Sequence, residues 1–150
     1  MKQGDINLIL KWIEMLQKNV FLDGKPLHND LIPIAKQAGI QNIENVRVLH
    51  VDSIFLPELE SIIILQKLNG LLSSQVAGLT LGYAILLRKS SSNSVLIHEL
   101  RHVAQFELFE SFHDFIYFYI KEIEKFGYGH GPLEKDAISF TKSINSVYHL

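Results

Sequence analysis

Apolar side chains recur at helical spacing through most of this chain of 150 residues. The first stripe predicts a helix over residues 6–20, because Ile6, Ile9, Ile13, Leu16 and Val20 fall on one face. Start signals such as Pro and Ser and stop signals such as Gly bound the later stripes. They predict further helices at residues 30–38, 58–68, 95–109, 112–126 and 132–148.

Two segments follow a strand pattern instead. Residues 46–51 alternate and are β-branched, and residues 79–88 form a second strand that is interrupted near Gly82, where a short hairpin can form. The prediction is an α+β fold, mostly helical, with a small antiparallel sheet packed beside the helix of residues 95–109. At this length we expect one domain over residues 1–150, with residues 1–45 as its N-terminal helical part.

Composition narrows the possible partners. The net charge of −2 gives no electrostatic reason to expect nucleic acid or a membrane surface as a partner. Cysteine is absent, so a metal site would have to use nitrogen and oxygen ligands. The N-terminus lacks the pattern of a signal peptide, and the longest apolar run, Val76–Leu87, is too short for a membrane span. We therefore expect a cytoplasmic protein, of a quaternary state that the sequence leaves open.

One helix carries a chemical motif. Its residues His98-Glu99-Leu100-Arg101-His102 read H-E-x-x-H and follow a polar run that suits a helix start. Histidines four apart lie on one helix face, so both imidazoles can bind one Zn²⁺, and Glu99 can reach a metal-bound water as a base. The alternative is a surface helix with two histidines and a solvated glutamate.

A catalytic zinc site normally has a third protein ligand. The metzincin extension is excluded, because Gln105 and Leu108 stand where it needs Gly and His. His113 can be considered, but it begins a new helix, where capping or packing explains it better. Glu134 is the better candidate, since it flanks the apolar stripe of the last helix, Leu133, Ala137, Phe140, Ile144 and Val147. Its alternative role is that of a first-turn glutamate facing the helix dipole.

Three stretches together resemble a known family. They are the strand Leu79–Leu87, the H-E-L-R-H-V-A-Q-F helix of residues 98–106, and Gly127-Tyr128 followed by P-L-E-K-D-A at residues 132–137. In this order they resemble the small gluzincin-like metallopeptidase domains, which occur as stand-alone bacterial proteins and inside bacterial toxins. The resemblance covers about residues 46–140, and its specific part is the H-E-x-x-H-V-x-Q and P-L-E-x-D-A elements.

The resemblance implies a minimal zincin-like fold and a zinc metallopeptidase that acts on a peptide or protein substrate. His98, His102 and Glu134 would hold Zn²⁺, and Glu99 would be the general base. The strand at residues 80–87 would line the cleft, which makes Thr80, Gly82 and Tyr83 candidate substrate-binding residues. Two other readings stay open: a catalytically silent zinc-binding module or regulator, and an interaction domain without metal.

Several supporting roles complete the expected site. A donor to the developing oxyanion is needed, and Tyr128, Tyr83 and His130 are candidates by position; His130, in a glycine-rich loop, is preferred. Gln105 lies one turn beyond His102 and would orient a ligand from behind. The acid that follows the third ligand in thermolysin-like enzymes is missing, because Ile138 stands there and Asp136 is on the wrong helix face. Residues 121–125 are predicted to be a solvated helix end.

Overall fold

The computed structural model describes residues 2–54 and 76–148. Within them lie five helices: α1 (Gln3–Asp23), α2 (Ile32–Ala38), α3 (Asn93–Phe106), α4 (Phe112–Phe126) and α5 (Pro132–Tyr148). The strands there are β1 (Lys25–Pro26), β2 (Arg47–Val51), β3 (Gly78–Leu81) and β4 (Ala84–Arg88). Two 3₁₀ turns, Asn29–Leu31 and Ile43–Asn45, precede α2 and β2. The predicted α+β fold is confirmed; the helix predicted at residues 58–68 lies outside the described residues.

The sheet has the order β1-β2-β4-β3 and is mixed. β1 pairs with β2 and β3 pairs with β4 in antiparallel fashion, whereas β2 and β4 run parallel. The prediction of an antiparallel sheet is therefore wrong for the central pair. The connection from residue 52 to residue 77 is long enough for the crossover that a parallel pair requires. The sequence pattern predicted the hairpin of β3 and β4, but it did not predict that β4 is the strand that pairs with β2.

The hairpin turns at Gly82, which confirms the predicted interruption. Gly82 has φ of +75°, in the left-handed region that favours glycine, and the two-residue turn leads directly into β4. Residues 84–87 of β4 are all buried, as expected for a central strand with both faces covered. β3 remains at the edge of the sheet, next to α3.

The sheet separates two apolar clusters. Side chains of α1 and α4 pack on one face with Leu81, Ala84 and Leu86, while α2, α3 and α5 pack on the other with Ile85 and Leu87. Successive residues of β4 thus enter opposite layers, as the period of a strand requires. All five apolar residues of the predicted α1 stripe are buried. The N-terminal helix is therefore an integral layer of the domain.

The last helix buries its stripe only in part. Ala137 and Ile144 are buried, but Val147 is 67% exposed. The predicted buried stripe is therefore wrong at its last residue, Val147. The reason is that α3 begins at Asn93, and Ser94 already contacts Asn145 near the end of α5. The final turn of α5 therefore projects past its partner. Among the helices described, none has both the length and the apolar content needed to cross a bilayer.

Candidate metal centre

The H-E-x-x-H motif lies in the middle of α3, whose apolar face fixes its orientation. Leu100 and Val103 are fully buried on the layer shared with α2, and Leu96 is buried beside them. The adjacent face of α3 carries the motif toward β3 and α5. A helical period thus presents His98 and His102 to the N-terminal turn of α5, one above the other.

His98, His102 and Glu134 converge, and their ligand atoms all lie within 4.8 Å of one another. The Nε2 atom of His98 is 2.9 Å from Glu134 Oε2, and that of His102 is 3.0 Å from Glu134 Oε1. The two Nε2 atoms are 3.1 Å apart. Ligands of a tetrahedral Zn²⁺ with bonds of about 2.0–2.1 Å lie about 3.3 Å from each other. The three groups therefore fit Zn²⁺ after a shift of a few tenths of an ångström.

The electrostatics of the cluster favour a bound cation. Burial alone would raise the pKa of the Glu134 carboxyl, but hydrogen bonds from His102 and His98 hold that pKa well below its usual range. Burial lowers the pKa of His102, yet the hydrogen bond to Glu134 and the charge of Glu99 outweigh it and raise the pKa overall. An ionised, buried carboxylate thus sits against the imidazole of His102, which takes up positive charge, and a metal ion would supply that charge instead.

Gln105 holds His102 from behind. Its Oε1 atom accepts a hydrogen bond from His102 Nδ1 at 2.7 Å, so Nε2 is left to face the other two groups. The amide nitrogen of Gln105 donates to Leu133 O at 3.0 Å and to Asp136 Oδ2 at 2.8 Å. Gln105 thereby ties α3 to the first turn of α5.

Asp136 supports the centre although its helix face seemed wrong for that role. Arg101 binds its carboxylate with two nitrogens, Nε at 2.8 Å and Nη2 at 3.1 Å, and the same carboxylate accepts from Gln105. The hydrogen bonds from Arg101, against burial, lower the pKa of Asp136. Asp136 therefore acts through Gln105, while Ile138, in the position where an acid was sought, is 38% exposed.

Tyr119 contacts Glu134 directly and was not anticipated from the sequence. Its hydroxyl donates to Glu134 Oε1 at 2.5 Å. Burial and then the charge of Glu134 raise the pKa of this phenol, so it remains a donor at neutral pH. The residue belongs to an aromatic stripe of α4, next to Phe115, that is typical of a core, and only its hydroxyl group distinguishes it.

Glu122 caps α5 and was also missed. Its carboxylate accepts from Leu133 N at 3.0 and 3.2 Å, and its side chain packs so closely that a Cβ at Gly131 would lie 2.1 Å from its Cγ. Burial raises the pKa of Glu122, while the hydrogen bond from the Leu133 backbone opposes this. The prediction of a solvated end at residues 121–125 is wrong here, since Glu122 is 6% exposed. Glu122 is buried because the start of α5 packs against this part of α4.

Glu99 is buried beside the edge strand. Its exposed fraction is 6%, and Thr80 Oγ1 donates to its Oε2 atom. Gly78 permits this approach, because a Cβ there would lie 3.2 Å from Glu99 Cγ. Strand β3 thus holds the carboxylate of the motif next to the three convergent groups.

Glu99 stands where two cavities meet. A partly open cavity runs between α1, β3 and α4, and a more open groove of about 310 Å³ runs between α3 and α5. Gly78, Glu99 and Tyr128 line both. A molecule that passes from the groove into the cavity would therefore cross the convergent groups.

Other predicted site residues lie elsewhere. Gly82 is at the hairpin turn, where a Cβ would meet Phe106 and Phe112. Tyr83 donates to Glu107 at 2.8 Å, beyond the C-terminal end of α3. His113 contacts Glu14. None of the three lines the cavity or the groove, as far as the described residues define them.

His130 also stays apart from the centre. Its ring folds back over Gly127, and its amide donates to Gly127 O at 3.3 Å. Tyr128, the alternative donor, instead faces the centre from the same loop. The reason is backbone geometry: Gly127 and Gly129 have φ of +85° and +83°, and these angles set which loop side chain turns inward.

Comparisons with protein-family models, with curated proteins and with solved structures find no match to this chain. The resemblance to gluzincin-like domains therefore rests on the motif residues themselves.

Proposed function

We propose that this protein is a zinc-dependent metallopeptidase in which His98, His102 and Glu134 hold the ion. The observation that carries the proposal is the convergence of three ligand atoms within 4.8 Å beside a buried glutamate of the same helix. A structural zinc site has no need of a buried carboxylate that is not a ligand, whereas a hydrolytic site needs a base at that position.

When bound, Zn²⁺ would polarise the scissile carbonyl and acidify the attacking water. Glu99 would accept a proton from the attacking water and deliver it to the leaving amine. Thr80 orients the Glu99 carboxylate through its hydroxyl group. Gln105 holds His102 in the tautomer that leaves Nε2 free, with Asp136 and Arg101 behind it.

Tyr128 is the residue that we assign as donor to the developing oxyanion, in place of His130. It lines both the cavity and the groove at the point where Glu99 does. Burial, together with the charges of Glu134 and Glu99, raises the pKa of its phenol, so the proton is retained for donation. A peptide in the groove would lie beside strand β3, whose outer side has no strand partner among the described residues and could pair with it.

The test combines metal content with peptide hydrolysis. Elemental analysis should find a single zinc ion per chain in the wild type, lost in His98→Ala and kept in His113→Ala. The latter is a matched control, because His113 is a histidine that contacts only distant groups such as Glu14. A peptide mixture incubated with the zinc-loaded chain should be cleaved.

Glu99→Gln separates catalysis from binding. Loss of a general base is expected to reduce hydrolysis by about 10²–10⁴-fold while zinc is retained. Equal hydrolysis by the variant would overturn the mechanism. Zinc binding by a wild type that cleaves no peptide would instead favour the silent zinc-binding module.

A further inference from the structure

The cavity between α1, β3 and α4 begins at the proposed reacting groups. Glu99, His102 and Glu134 line it together with Thr80 of the edge strand. From these polar groups it extends into the layer formed by α1 and α4. A group attached to a substrate at the metal centre can therefore enter it without leaving the centre.

The rest of the cavity wall is apolar. α1 contributes Ile9, Trp12 and Ile13, and α4 contributes mainly Phe115, Ile116 and Ile120. Within the described part of the chain, neither helix adds a charged side chain to this wall. An ionised group placed there would lose its hydration without gaining a partner, which is strongly unfavourable.

The cavity is small. Its water-accessible volume is about 60 Å³. One water needs roughly 10–15 Å³ on this measure, so the cavity would hold roughly four to six waters. That space matches a medium-sized aliphatic side chain and is too small for an indole ring.

We propose that this cavity is the specificity subsite of the metal centre and that it takes the side chain of Leu or Met from the residue next to the scissile bond. The inference rests on the proposed peptidase function, because it uses the same ion to fix the substrate. The filled cavity would exclude water from apolar walls and fix the scissile bond beside the metal centre, within reach of a water that Glu99 can deprotonate.

The subsite depends on α1, which lies outside residues 46–140, the segment that carries the family resemblance. Ile9, Trp12 and Ile13 follow helical spacing, so one face of α1 builds a whole side of the cavity. Substrate selection is therefore a property of the N-terminal helix of this chain, while the metal ligands come from α3 and α5.

Amino-acid hydroxamates are suitable probes, because the hydroxamate group chelates zinc while the side chain explores the neighbouring subsite. The zinc-loaded full chain is titrated with the hydroxamates of glycine, alanine, leucine and tryptophan, and Kd is measured calorimetrically. Each buried methylene strengthens binding about fourfold. We expect the leucine compound to bind more than about tenfold tighter than the glycine compound, and the tryptophan compound to bind more weakly than leucine.

Two substitutions in the same helix separate the subsite from general stability. Ile13→Ala enlarges the cavity and should shift the preference toward the tryptophan compound by about tenfold or more. Ile6→Ala is the matched control, since Ile6 is buried to a similar degree in α1 but does not line the cavity. Ile13→Val, a smaller change, serves if the alanine variant fails to fold.

The outcomes distinguish this inference from the proposed function. Equal Kd values across the series in zinc-loaded protein would overturn the subsite and leave the metal centre intact. The same shift in Ile6→Ala as in Ile13→Ala would overturn it too. A preference for leucine without any peptide hydrolysis would support the subsite and count against the peptidase function. A chain that folds but takes up no zinc would overturn both.

Discussion

Helix α3 carries two polar clusters, and they differ in what completes them. At its C-terminal end, Glu107 accepts hydrogen bonds from the amides of Gln41 and Asn42, at 2.7 and 3.0 Å, and from the Tyr83 hydroxyl at 2.8 Å. Donors meet an acceptor there, and the cluster needs nothing further. In the middle of α3, by contrast, His98 and His102 turn Nε2 atoms toward each other and toward one carboxylate.

This difference teaches how to separate a structural cluster from a functional one. His102 Nδ1 donates to Gln105 Oε1, so in the neutral imidazole Nε2 carries no proton and faces the Glu134 carboxylate as a second acceptor. A proton or a metal ion between the two atoms would resolve this conflict. The Glu107 cluster ties the segment before β2 to α3, whereas the motif cluster could be completed by a cation. Both contain a tyrosine that donates to a glutamate, so residue types alone do not tell them apart.

The largest effect should follow removal of the third ligand. Glu134→Ala is expected to weaken zinc binding by well over about 100-fold, since loss of a ligand exceeds the 10–100-fold cost of losing a supporting residue. Competition with a chromophoric chelator measures the Kd. An unchanged Kd would remove Glu134 from the centre and weaken the contrast between the two clusters.

Gln105→Leu should have the next largest effect. The substitution preserves much of the side-chain volume but removes the acceptor for His102 Nδ1 and the link to Asp136. We expect zinc affinity to fall about 10–100-fold. Chelator competition measures this affinity, and the visible spectrum of the Co²⁺-substituted protein shows whether the ligand geometry changes. Wild-type affinity in this variant would mean that His102 is oriented by packing alone.

Glu107→Ala should destabilise the fold and spare the metal. Two backbone amides and the Tyr83 hydroxyl lose their acceptor, at a cost of about 1–3 kcal/mol in the free energy of unfolding. Urea denaturation of the metal-free chain measures this loss, and zinc Kd is the control. A large change in zinc affinity would contradict the division between the two clusters.

The smallest effects come from the helix caps. Ser111→Ala removes the cap of α4, whose Oγ accepts from Asp114 N at 3.1 Å, and should cost about 1 kcal/mol with no change in zinc affinity. Glu122→Gln alters the cap of α5 directly before the third ligand and should weaken zinc binding severalfold at a comparable loss of stability. Equal zinc affinity in the two variants would show that the α5 cap is purely structural.

The sequence predicted those features that depend on local order. Helical spacing predicted that the motif residues lie together on α3. The apolar stripe of α5 made Glu134, which flanks it, the candidate third ligand. The hairpin at Gly82 also followed from the strand pattern. The capping of α4 by Ser111 also depends on local order, because the Ser111 hydroxyl and the Asp114 amide that donates to it lie three residues apart.

Contacts between elements that are distant in the chain could not be predicted from the sequence. The parallel pairing of β2 with β4 depends on the path between them. Tyr119 and Glu122 have core-like and surface-like surroundings in the sequence, and only the return of α5 onto α4 gives each its partner. The inward turn of Tyr128 rather than His130 depends on two glycine dihedral angles.

The cap of α5 has a consequence for assembly. Glu134, the proposed third ligand, lies in the first turn of α5, and that turn is fastened to α4 through Glu122 and to α3 through Gln105. During synthesis, α3 emerges from the ribosome well before Glu134 does, so the growing chain exposes two histidines without the third proposed ligand. Under the proposed function, metal loading would therefore be a late event that follows folding of the C-terminal helix. A chain cut short before α5 would keep the motif intact and still lack the third proposed ligand.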